Sequence, residues 1–187
     1  MRNLLLIVGP SGSGKSTLEK NLLQLDPDTY HKAISVTTRA PRKGEIDGVD
    51  YFFKTKETFN PDDMLETVEF AGNLYGLPLN QIHETKDTLV VVEPNGVVQI
   101  KKYIEKNQLD INVYIIYLDI PLKTRIFNMI SSRSDDPKAV EERLSKDTIQ
   151  EDFKKLGLRA DLPIKKLNPH LHLHVHEWAS LTKKMYL

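Results

Sequence analysis

The chain has 187 residues, 40% of them apolar and 28% charged, with lysine plus arginine equal to aspartate plus glutamate at 26 each. That is enough chain for one domain with a real core, and a formal net charge of zero excludes a global basic field for recruiting nucleic acid or an acidic membrane surface. The absence of cysteine excludes disulfides and thiolate metal sites and accords with a reducing, cytoplasmic setting.

Residues 3–8 form an unbroken apolar run stopped by Gly9-Pro10, the pattern of a strand buried on both faces. The run is too short to span a bilayer and leads straight into a glycine loop, so neither a membrane span nor a signal peptide is expected. Residues 16–25 then place Leu18, Leu22 and Leu25 at helical spacing up to Asp26-Pro27. Between residues 35 and 82 glycines, aromatics and arginines are dense, and an inserted subdomain of short strands is expected. Residues 88–92 and 112–118 are two further buried strands, each stopped by a proline-containing turn, with helices predicted over 97–106 and 123–131. The charged stretch from 131 to 153 has helical spacing and predicts a mobile flap. In residues 171–175 histidine alternates with apolar residues, which predicts a last strand followed by a short helix. Strand and helix in alternation imply an α/β fold, a three-layer parallel sheet with right-handed crossovers. Its core is expected to comprise 1–34, 83–130 and 154–187, with the insertion at 35–82 and a lid at 131–153.

Gly9-Pro10-Ser11-Gly12-Ser13-Gly14-Lys15-Ser16 matches G-x-x-x-x-G-K-[ST], the phosphate loop. Glycines let the backbone turn tightly and point several N–H groups at one place, forming an anion nest, with Gly9, Ser11, Gly12, Ser13, Gly14, Lys15, Ser16 and Thr17 as the expected nucleotide-binding residues. The following helix adds its positive N-terminal end. Lys15 supplies a point charge for the β- and γ-phosphates, and the Ser16 hydroxyl is a ligand suited to Mg²⁺. A nucleoside triphosphate is the implied ligand. The motif does not by itself separate a kinase from a hydrolase.

Arg39, Arg42 and Lys43 form a compact cation cluster on a loop rich in proline and glycine. Arginine's planar fork suits bidentate capture of a phosphate, and Tyr51 offers a phenolic donor. Glu93 lies just beyond the carboxyl end of a predicted strand, where open parallel sheets bind ligands.

The stretch SVTTRAPRKGEIDGVDYFF and the block ETVEFAGNLYG from Glu66 to Gly76, together with GPSGSGKST, resemble guanylate kinases. The resemblance covers the N-terminal half closely and the rest loosely. It implies ATP-dependent phosphorylation of a nucleoside monophosphate, GMP or dGMP first, with 35–82 as the acceptor-binding subdomain. Position by position it implies that Arg39, Arg42, Tyr51 and Tyr75 hold the acceptor phosphate. Ser35 would donate to the base carbonyl, and Glu66 would accept from the two adjacent guanine donors, with Glu69 as the competitor if the strand is shifted. Four positions depart from the family pattern: Val68 for alanine, Leu77 where a hydroxyl is usual, Val91 where a carboxylate is usual, and Glu93, whose acid is a carbon longer than the usual one. They leave open a different nucleotide acceptor. A guanylate-kinase-like module that binds a phosphorylated protein is the reading of another class, and the intact Lys15-Ser16 pair argues against it.

In the flap, Arg133 followed by Asp135-Asp136 and then Arg143-Leu144 resembles the lid arginines of nucleoside-monophosphate kinases, whose role is to clamp charge on the transferring phosphoryl group. Arg125 reads instead as part of a solvated helix face. On a strand, His170, His172, His174 and His176 would share one polar face; a metal site is the less favoured reading, since a flat row does not close a tetrahedron. His31 and His83 are isolated in sequence.

Overall fold

The opening apolar run forms β1 (Arg2–Val8), and its last six residues are all buried. Strand side chains alternate between faces, so successive burial requires cover on both sides. The computed structural model describes residues 2–42, 44–70, 72–133, 136–166 and 170–185, apart from the side chains at 70, 132, 133 and 181–185. After β1 come α1 (Lys15–Leu25), β2 (Tyr30–Lys32), β3 (Val36–Thr37), β4 (Phe52–Phe53), β5 (Met64–Phe70), β6 (Asn73–Pro78) and β7 (Asp87–Val91). Then follow α2 (Pro94–Lys106), β8 (Ile111–Leu118), α3 (Leu122–Arg133), α4 (Pro137–Ser145), α5 (Ile149–Lys155), β9 (Leu162–Ile164) and α6 (Leu171–Met185). Among the described residues no helix is long and apolar enough to cross a membrane.

Five strands pair in the order β2-β7-β1-β8-β9, parallel throughout. The alternation of β1 divides the core between its two faces. Leu4, Leu6 and Val8 pack with Val97 and Ile100 of α2 and Phe153 of α5. Leu5 and Ile7 pack with Leu18 and Leu22 of α1 and Leu171 and Val175 of α6. The result is a helix–sheet–helix sandwich, each fully buried aliphatic side chain contributing about 1.5–3 kcal/mol.

A second sheet has the order β4-β3-β6-β5 and lies wholly between residues 36 and 78. It is tied to the main body through α2: the Gln99 amide donates to the Thr67 carbonyl at 3.0 Å and accepts the Thr67 N–H at 3.1 Å. The β5–β6 register slips between Met64 and Glu66. Such an irregularity re-aims a side chain, and here it falls beside Glu66.

Two elements differ from the expectation. Residues 171–175 open a helix, not a strand. Leu171, Val175 and Ala179, spaced four apart, are all buried against α1, and this apolar stripe decides the conformation over the shorter histidine alternation. The outer strand of the sheet is instead β9, which together with β2 escapes sequence reading because three residues carry no usable periodicity.

Candidate active site

The carboxyl ends of β1, β7 and β8 converge on one edge, where the phosphate loop follows β1. Gly14, with φ +92°, precedes α1, and no side chain caps that helix, which leaves its first-turn N–H groups available to an anion. Lys15 folds back over the loop, its Nζ donating to the Gly9 and Pro10 carbonyls. Ser13 is buried, while Ser16 and Thr17 are exposed on the first turn of α1. Gly12 has φ +76°, and a Cβ there would meet the Arg125 carbonyl oxygen at 2.5 Å, so only glycine fits.

That contact exists because α3 lies against the outside of the loop. Arg125 Nε donates to the Ser11 carbonyl at 2.8 Å, and Asn128 Nδ2 donates to the Gly12 carbonyl at 2.8 Å. Asp147, between α4 and α5, accepts the Ser11 N–H at 2.8 Å and pairs with Arg125. Arg125 therefore does not belong to a solvated face: it is largely buried against the motif. Nothing in the sequence pairs Arg125 with Asp147, because the partners meet only when two helices pack.

Beyond the β7 end lies a cavity of about 350 Å³ whose wall includes Ser35, Tyr51, Glu66, Tyr75, Glu93 and Asn95. The first five, predicted from scattered segments, are thus brought to one cleft. Burial first, and then the neighbouring Glu93 charge, pushes the Glu66 carboxyl up to about 7. Gly96 opens the space beside it: a Cβ there would meet Val92 Cγ2 at 2.5 Å and lie 3.4 Å from Glu66 Oε2. Val68 and Val91 add apolar wall. Leu77 is fully buried in the core and does not line the cleft. Glu69 is exposed on β5, away from that wall. Asn95 and Gln99, both on α2, were not anticipated; the only signal was their position just after the Glu93 turn.

Arg39 lies 5.6 Å from the Tyr51 ring centroid and 5.8 Å from that of Phe53, and the Tyr51 and Tyr75 rings are 6.0 Å apart. Glu45 orients this corner. It accepts from the Arg39 guanidinium at 2.9 Å and from the Arg42 main-chain N–H at 2.7 Å. Arg42 is exposed, and Lys43 lies outside the described residues. Arg143 is exposed in the last turn of α4. Arg133 ends α3, with its side chain outside the described part.

The histidines serve other ends. His176 Nδ1 is 3.0 Å from the Tyr30 hydroxyl, and the His31 and His83 rings pack at 5.1 Å. Among the described residues no cluster of three or more metal-ligating side chains is present. A larger cavity, about 900 Å³, includes Arg2 and His83 in its lining, at the amino end of the strands and away from the phosphate loop.

The guanylate kinase family model matches residues 1–156. Guanylate kinase from Bacillus anthracis is 38% identical over 154 residues, covering 77% of this chain and 72% of the relative. The Enterococcus faecalis enzyme is 36% identical with the same coverage, and that of Bacillus subtilis is 34% identical over 78% of this chain and 72% of its own. The crystal structure of guanylate kinase from Anaplasma phagocytophilum superimposes with a TM-score of 0.56 at 25% identity, over 98% of this chain and 86% of that one. On the strength of the phosphate loop, the second cleft and these matches, the chain belongs to the guanylate kinase family.

Proposed function

We propose that this protein transfers the γ-phosphoryl group of ATP to GMP, or to dGMP, giving ADP and the guanine nucleoside diphosphate. The observation that carries the reading is Glu66, a half-buried carboxylate in the cleft beside the phosphate-loop edge. Guanine presents two adjacent N–H donors, and a carboxylate accepts both. In this reading the loop amides and Lys15 hold the β- and γ-phosphates. Arg39, Arg42, Tyr51 and Tyr75 hold the acceptor phosphate, and Ser35 meets the base carbonyl. Glu93 and Asn95 close the base side of the cleft. Arg133 and Arg143 balance charge on the transferring oxygens when the flap closes. Positioning the two phosphates in line supplies most of the acceleration.

The exposed Ser16 hydroxyl in the first turn of α1 fits Mg²⁺, which takes few protein ligands and keeps its waters. Bound there with ATP, the ion would neutralise charge on the β- and γ-phosphates. Residues 35–82 serve in this reading as the acceptor-binding part and 131–153 as the lid.

A second reading, a different base on the same chemistry, is favoured by the apolar wall at Val91, where the family pattern has a carboxylate. A base group left unpaired there costs about 1–3 kcal/mol, enough to redirect base choice. The test is ADP release from ATP–Mg²⁺ with each ribo- and deoxynucleoside monophosphate offered separately. Turnover with GMP or dGMP alone is expected. Turnover confined to another monophosphate would transfer the assignment to that base. Failure with every one of them, despite ATP binding, would favour a phosphoprotein-binding module.

A further inference from the structure

Two segments far apart in sequence meet on a single peptide of the phosphate loop. Arg125, on α3, uses two arms of its guanidinium. Nε donates to the Ser11 carbonyl and a terminal nitrogen donates to Asp147 Oδ2. The same Asp147 oxygen accepts the Ser11 N–H at 2.8 Å, so the N–H and C=O of Ser11 are both engaged by one ion pair. The other carboxylate oxygen accepts the Ile149 N–H at 3.3 Å, at the start of α5. Asn128, one turn along α3 from Arg125, holds the next carbonyl, that of Gly12. The pair is shielded, with 11% of the Arg125 side chain and 4% of the Asp147 side chain exposed.

We infer that Arg125 and Asp147 are positioning residues for the phosphoryl donor, holding the Ser11 peptide so that the loop amides face the donor phosphates and tying that orientation to α4 and α5. The inference rests on the reading of this loop as the ATP site. Two features separate it from general support of the fold. The pair grips loop backbone, not core side chains, and the grip lies within the motif that would hold the phosphates. The arrangement is also balanced in charge. Asp147 alone would repel a triphosphate, and Arg125 cancels that charge where it stands. Removing Arg125 therefore has two effects on ATP: the loop loses a tether, and a carboxylate is left uncompensated beside the phosphates. Removing both residues loses the tether alone.

The experiment measures KM for ATP by ADP release, and Kd for GMP by calorimetry without ATP. It uses the native protein, Arg125→Ala, Asp147→Asn and the double variant Arg125→Ala/Asp147→Asn. We expect Arg125→Ala to raise KM for ATP by about tenfold or more, the double variant to recover part of that loss, and Kd for GMP to stay within about twofold of native. Should Arg125→Ala fail to fold, Arg125→Lys takes its place. It keeps the charge but not the two-armed fork, and a severalfold rise in KM for ATP is expected. An unchanged KM for ATP in Arg125→Ala, or in Arg125→Lys where it stands in, would overturn the inference. So would a parallel loss of GMP binding, which would mark a structural role. Failure of the native protein itself to turn over or bind ATP would instead sink the proposed function.

Discussion

At the scale of single residues, Glu66 is under two opposed demands. In its proposed role base recognition requires the ionised form, while burial, and then the Glu93 charge, favour the neutral one and push the carboxyl up to about 7. With an ionised carboxylate required, KM for GMP should fall as pH rises from 6 to 8. In Glu66→Gln that slope should shrink to what the acceptor phosphate contributes by its own ionisation near pH 6. Equal slopes in the two proteins would remove Glu66 from base recognition. The same shift has a consequence for stability. A folded-state pKa raised above the unfolded value gives a contribution that is full below about 4.5 and is lost as pH rises through about 7. Urea melts at pH 8 should therefore find Glu66→Gln more stable than the native chain by about 1–3 kcal/mol, with the difference fading towards pH 4.5. Ser35, Tyr51, Glu66 and Tyr75 of this cleft were legible because each stands in a long motif, and Glu93 because it follows a strand end. Arg125 and Asp147 were not, because each acts through a partner that folding alone brings near.

At the scale of elements, α6 shows how two periodicities compete. Read as a strand, residues 171, 173 and 175 would share a buried face. In the helix Val175 is fully buried against α1, whereas Leu173 is 44% exposed. Val175→Ala should thus cost about 1–3 kcal/mol in chemical denaturation, and Leu173→Ala less than about 0.5 kcal/mol. Comparable losses at both positions would restore the strand reading. The helical stripe Leu171, Val175 and Ala179 was present in the sequence, but the histidine alternation masked it over the first turn and a half. The long strands β1, β7 and β8 posed no such ambiguity, since apolar runs closed by proline or glycine have few other solutions in a chain that alternates strand and helix.

At the scale of the whole molecule, ligand and fold are linked. A nucleotide that binds only the folded state stabilises it by about 2.7 kcal/mol at one hundred times its Kd, a rise in Tm of roughly 5–10 °C for a chain of this length. Lys15→Ala should melt near the native temperature without ATP, because the Lys15 Nζ bonds to Gly9 and Pro10 stay within the loop. It should lose most of the rise that ATP–Mg²⁺ gives the native protein. A full rise in the variant would mean that ATP is held elsewhere.

The sequence by itself determined the α/β class, the phosphate loop and the order of the two recognition motifs. Local spacing and short-range backbone chemistry are written in consecutive residues, and they need no partner to be read. Only the tertiary structure decided that Glu66 and Glu93 share a cleft, that Leu77 turns into the core, that the histidine row is helical, and that α3 and Asp147 grip the phosphate loop. Each of these depends on which faces are covered and which charges are shielded, and burial is a property of the packed chain, not of any segment in it.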